Sequence, residues 1–164
     1  GATLPEEYRA TYERILAGLP ALWDRYLAPR IVEMHNLTLA HEDGYLSQFL
    51  CPDDGRGQTY LIDYQSVAAD FGTTDLVHVC AFFWTSEQRQ QHEMAVLRRY
   101  LEGLQRAGVT GYSWEDLLTD YRLLITIHTT YPVWDQTNGS SKDYWWPKMQ
   151  DIIAAYRDLD CAAL

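Results

Sequence analysis

The sequence predicts an α+β domain that is mostly helical and carries one small β-hairpin. Three observations lead there. Apolar residues recur at three- and four-residue steps through the opening segment and through most of the second half. Two short apolar runs, Leu46 to Cys51 and Tyr60 to Ile62, flank the turn-forming stretch Asp53-Asp54-Gly55-Arg56-Gly57. Helix-start and helix-stop residues punctuate what remains.

The elements follow in order. Pro5 with Glu6 and Glu7 opens a helix to about Ala28, since carboxylates favour the positive end of the helix dipole. Gly18 and Pro20 predict a break or kink within it. From Leu37 the pattern changes: His41-Glu42-Asp43-Gly44 reads as a polar loop, the hairpin follows, and its second strand ends at Asp63. Thr74 to Trp84 is an apolar helix with Thr73 or Thr74 as its N-cap. Ser86 to Ala107 is a long helix capped by Ser86 and stopped by Gly108. Ser113 and Asp116 form a capping box for a helix to about Tyr131, where Pro132 stops it. Gln136 to Lys142 is a polar loop, and Asp143 to about Leu159 is the last helix.

Length and composition bound the rest. The 164 residues, with 47% hydrophobic and 13% aromatic content, suit a single domain spanning 1–164 with a substantial core. A net charge of −10 with only 13 Lys and Arg argues against nucleic acid as a partner. Apolar runs are short and broken by charge, so no membrane partner is expected. Cys51, Cys80 and Cys161 show no C-x-x-C spacing and read as small core residues of a reducing, cytoplasmic compartment. His35, His78, His92 and His128 lack metal-ligand spacing and read as core or surface histidines. Gly1-Ala2 reads as an appended start.

Asp43 precedes the hairpin and Asp63 ends it, so the fold should bring the two carboxylates near one another, where paired carboxylates can bind a divalent cation or serve as a base. The wider pattern sharpens this. His41-Glu-Asp43 with Gln48 and Leu50 resembles the H-G-D-x-x-x-x-N-x-L catalytic loop of the aminoglycoside phosphotransferase and choline kinase superfamily. Tyr60-Leu-Ile-Asp-Tyr-Gln65 resembles its I-D-W-Q segment, Gly72-Thr-Thr-Asp75-Leu its G-x-x-D-L-A helix start, and Ala155 to Cys161 is similar to the tail of the bacterial small-molecule kinases.

That resemblance implies the C-terminal lobe of the protein-kinase-like fold. It implies Asp43 as catalytic base, Gln48 and Asp63 as metal and nucleotide-phosphate ligands, and His41 and Asp75 as braces of the catalytic loop. The chain departs from the pattern at two positions. Glu42 stands where the family has Gly, and Gln48 where it has Asn, and both weaken a metal site. No glycine-rich phosphate loop and no strand-borne Lys is present, so the ATP-binding lobe is expected to be absent.

The expected function is therefore binding of a peptide or partner protein without ATP-dependent phosphorylation. A possible chemistry is peptide cyclisation in ribosomal-peptide biosynthesis through Asp43, Glu42 and His41. No cofactor is expected under this reading. The alternative is the C-lobe of an ATP-dependent small-molecule phosphotransferase, which would use Mg²⁺ and ATP at Gln48 and Asp63. Tyr45, Tyr131, Trp134 and Trp145 are the expected substrate-groove aromatics. The uncovered inter-lobe face is expected to be apolar and to need a second copy or another protein over it.

Overall fold

A computed structural model describes residues 4–164; Gly1 and Ala2 lie outside the described residues. The architecture is mostly α, with two separate two-stranded antiparallel sheets. Helix α1 (Glu6–Leu22) continues through a π turn (Trp23–Leu27) into α2 (Ala28–Glu33). The expected break at Gly18 and Pro20 does not occur. Pro20 removes only the N–H that Leu16 O would accept, and Leu16 is exposed, so water can serve that carbonyl. The irregularity falls later: the Ala28 N–H donates to Trp23 O, widening the helix just ahead of Pro29.

Strand β1 (Leu37–Ala40) leads into the 41–45 loop. A 3₁₀ turn (Leu46–Gln48) then enters the hairpin of β2 (Phe49–Leu50) and β3 (Tyr60–Leu61), paired Phe49 to Leu61 and Leu50 to Tyr60. This is the expected hairpin, with shorter strands. Beyond it, β4 (Ala68–Phe71) returns to pair with β1, Leu37 opposite Phe71 and Ala40 opposite Ala68. That pair was not foreseen. Its strands are four residues long, and β1 shows no clean inside–outside alternation, so nothing local announces a partner about thirty residues away.

Helix α3 (Thr74–Val77) runs on as a π-helical segment (His78–Phe83). Thr73 precedes it, but its side chain makes no capping hydrogen bond. Helix α4 (Ser86–Arg106) is capped by Thr85, one residue earlier than expected: Thr85 Oγ1 accepts from the Gln88 N–H at 3.3 Å and Gln88 Oε1 accepts from the Thr85 N–H at 3.0 Å. Helix α5 (Trp114–His128) starts on the predicted Ser113–Asp116 capping box. Pro132 does not end it. The chain breaks at Thr129 and Pro132 sits in the first turn of α6 (Thr130–Thr137), where its missing N–H would have had no helical partner. The polar loop accordingly shrinks to Asn138–Ser141 before α7 (Lys142–Asp158).

The core lies between α5 and α7 and is closed by α1, α3 and α4. Tyr121, Leu124 and Ile125 of α5 meet Met149, Ile152 and Ile153 of α7, with Val77, Cys80 and Ala81 beneath and Leu97, Tyr12 and Ile15 around them. Arg89 is buried with its charge satisfied, donating to both Glu93 oxygens at 2.8 and 3.0 Å and to Asp158. Large apolar residues are left out of this core: Val32 of α2 and Leu39 of β1 are 82% and 77% exposed, and Leu50, Tyr60, Ile62, Tyr64 and Val67 are exposed on or beside the two small sheets.

Where β4 turns into α3, a Cβ on Gly72 would overlap the Tyr100 hydroxyl. Gly72→Ala is expected to cost about 1–3 kcal/mol of folding stability, with much of the loss recovered in Gly72→Ala/Tyr100→Phe. Urea denaturation of the four chains measures both terms.

Candidate functional site

The 41–45 loop is held by three contacts. Asp75, in the first turn of α3, accepts two backbone hydrogen bonds: the His41 N–H reaches its Oδ2 at 2.8 Å and the Glu42 N–H its Oδ1 at 3.0 Å. The buried His41 ring bonds through Nε2 to Ile62 O at 2.8 Å and packs edge-on against Tyr64 at 5.0 Å. One carboxylate and one imidazole thus tie the loop to α3 on one side and to the hairpin exit on the other. The Asp75 side chain also crowds Gly44, where a Cβ would stand 3.3 Å from Oδ1.

Between these ties the backbone takes unusual turns. Glu42 has φ 66° and Asp63 φ 67°, the left-handed region that non-glycine residues enter rarely. Glu42 therefore keeps the conformation that glycine would supply, and its side chain is directed into a cleft. There its carboxyl is pushed up to about 8, first by burial, then by a hydrogen bond to Asp70 and by the charges of Asp70 and Asp75. Asp70 is itself held by the Phe71 N–H at 2.7 Å and Thr74 Oγ1 at 2.9 Å.

The cleft has a volume of about 440 Å³, within the usual range for small-ligand sites. Glu42, Asp43 and Tyr45 form one side; His78, Phe82 and Phe83 of the π-helical segment form the floor; Tyr131, Trp134 and Asp135 of α6 and Lys148 of α7 complete it. Tyr131 stacks on His128 at 4.5 Å, which stacks on His78 at 5.1 Å. Burial lowers both histidines, His128 to about 3, so this stack is uncharged at neutral pH.

Of the residues expected from sequence, Glu42, Asp43, Tyr45, Tyr131 and Trp134 line this cleft together. His41 sits behind it as a brace. Gln48 and Asp63 lie apart from its lining and close to each other, with Gln48 Nε2 donating to Asp63 Oδ2 at 3.3 Å. Together they offer one carboxylate and one amide, the kind of donor set Mg²⁺ takes from protein when phosphates supply the remaining ligands. No group of three His, Cys, Asp or Glu side chains positioned for a metal ion occurs among the described residues. Trp145 is not in the groove: it is 5% exposed, in the core, edge-on to Trp146. It falls on the inward face of α7, whereas Tyr144 and Lys148, four residues apart, share the face turned to the cleft. Sequence reasoning missed Asp135 and Lys148, although that four-residue spacing was readable.

The geometry defines a mostly helical α+β domain with an aromatic, acid-lined cleft braced by the half-buried Asp75 carboxylate. The family described as uncharacterized oxidoreductase dhs-27 matches residues 25–133, two thirds of the chain, and the chain belongs to that family. No curated protein and no solved structure shows a significant match.

Two outcomes are expected. Asp75→Ala strands two backbone N–H groups and should cost about 2–4 kcal/mol, read by urea denaturation, with loss of loop protection in amide exchange. For Glu42, the folded chain keeps a proton that the unfolded chain releases near 4.5, so this group's stabilisation is greatest in acid and is lost as pH rises towards about 8. Glu42→Gln should flatten the fall in stability across that window. Unfolding curves for the two chains at a series of pH values measure the difference.

Proposed function

We propose that this chain is a substrate-side lobe of the aminoglycoside-phosphotransferase-like kinase fold, which holds a hydroxyl-bearing ligand against Asp43 and does not itself clamp nucleotide. The observation that carries the reading is the pair of hydrogen bonds from the His41 and Glu42 amides to Asp75, together with the His41 tie to Ile62 O. A catalytic-loop aspartate needs that kind of fixation, because a base is useful only when its carboxylate is held at hydrogen-bonding distance from one hydroxyl. The cleft's volume suits a small ligand or a short stretch of peptide, so a partner protein would engage it by presenting a few residues at most. Glu42, carrying a proton near neutrality, and Asp43 beside it supply an acid and a base for addition chemistry such as peptide cyclisation.

A second reading is favoured by two other observations. Leu39, Leu50, Tyr60, Ile62, Tyr64 and Val67 leave an apolar surface where a nucleotide lobe would rest, and Gln48 and Asp63 are paired as metal ligands of a phosphotransferase would be. Under that reading the chain is the C-lobe of an ATP-dependent small-molecule phosphotransferase, with Mg²⁺ neutralising phosphate charge at those two residues. The oxidoreductase of the family's description is a different matter. Within the matched segment Gly55-Arg56-Gly57 is followed by Tyr60 where a dinucleotide fingerprint has its third glycine, and the stretch forms a hairpin turn, not a strand-to-helix turn.

Calorimetric titration with Mg-ATP, beside Asp63→Ala, separates the two readings. No heat at millimolar nucleotide is expected. Binding that disappears in Asp63→Ala would put the phosphotransferase reading first.

A further inference from the structure

Lys148 is one of two lysines in the chain and is 8% exposed. Its ammonium lies 3.7 Å from the Tyr144 ring centroid, 5.7 Å from Tyr45 and 5.8 Å from Phe83, and donates to Asp135 Oδ2 at 3.3 Å. Tyr45 and Phe83 meet edge-to-face at 4.7 Å. Three aromatic rings around a cation, closed by one carboxylate, is the arrangement by which proteins capture alkylammonium ligands. Here the chain's own side chain occupies it.

We propose that Lys148 is an internal cation that fills the aromatic cage of the cleft, so that the site selects an uncharged hydroxyl group on an apolar ring and rejects alkylammonium ligands. The identity of the hydroxyl rests on the reading of Asp43 given above; the occupied cage does not. The charges facing the cleft agree. Asp135 is neutralised by Lys148, His78 and the His128 stacked on it are held uncharged, and Glu42 keeps its proton near neutrality. Asp43 is then the cleft carboxylate without an ion-pair partner among the described residues, while the aromatic walls of Tyr131, Trp134 and Phe82 offer flat apolar contact. An incoming ammonium would meet Lys148 across a short, poorly hydrated gap, where like-charge repulsion is strong.

The test compares cyclohexanol with cyclohexylammonium by ligand-observed NMR titration, on wild type and on Lys148→Ala and Lys148→Met. Wild type should bind the alcohol roughly tenfold or more tightly than the ammonium. Lys148→Ala should bind the ammonium roughly tenfold more tightly than wild type does, and Lys148→Met, which refills the cage without charge, should not. Equal affinity of wild type for both probes overturns the proposal without any variant. So does a Lys148→Ala chain that is folded by circular dichroism and gains no ammonium binding. Asp43→Asn reports separately on the functional reading: unchanged alcohol affinity there sinks that reading and leaves the cage standing. N-acetyltyrosinamide against cyclohexanol distinguishes the source, since tighter binding of the former assigns the hydroxyl to a peptide and tighter binding of the latter to a small molecule.

Discussion

The site depends on one carboxylate. Asp75 belongs to the start of α3 yet spends both oxygens on the backbone of a loop more than thirty residues earlier. Charge-assisted bonds to N–H groups are among the stronger polar contacts a fold can make. These two fix consecutive peptide planes, so the loop has little freedom left. Glu42 sits at positive φ with its amide held by Asp75, which helps to offset the strain of that conformation. The direction of the next side chain, Asp43, follows. So does the position of Tyr45, whose ring closes the cleft against Phe83.

The hairpin and the second small sheet serve that same constraint. The β1–β4 pair brings Phe71 alongside Leu37 and so delivers Gly72 to Asp75 to the loop that follows β1. The hairpin returns Ile62 to His41, whose ring completes the loop's support from the other side. Short strands are sufficient for this. They position two segments and bury little, which is why so many of their large side chains remain exposed. The core proper is built by α5 and α7 and meets the site at Phe82, which belongs to both, and at Lys148, which α7 sends to the cleft beside its core residues.

How far the sequence made this legible follows from the range of each interaction. The Ser113–Asp116 capping box, the hairpin turn at 53–57 and the long α4 rest on contacts within a few residues, and each was readable to within a residue or two. The β1–β4 pair, the π turn ahead of Pro29 and the new helix beginning at Thr130 depend on what the segment packs against, and local pattern carried no sign of them. In the site, the loop and hairpin residues could be named because their order along the chain is itself a pattern. The aromatic run near the C-terminus could not be apportioned in the same way. Trp145 and Tyr144 are adjacent and chemically similar, and only the facing of α7 sends one to the core and the other to Lys148.

The charge state of the cleft sets the kind of chemistry it can support. An acidic chain with several carboxyls around one cavity would ordinarily invite a cation. The structure removes that invitation piece by piece. Burial and Asp70 keep a proton on Glu42, Lys148 takes Asp135, and His78, with His128 stacked on it, stays uncharged. What remains is a single carboxylate, Asp43, in a largely apolar surrounding. A carboxylate with no ion-pair partner is open to accept a hydrogen bond from one hydroxyl group, and that bond is stronger beside apolar walls than in bulk water. That is the condition for orienting one hydroxyl group, and it holds whether or not a phosphate donor is ever brought to the exposed face beyond the hairpin.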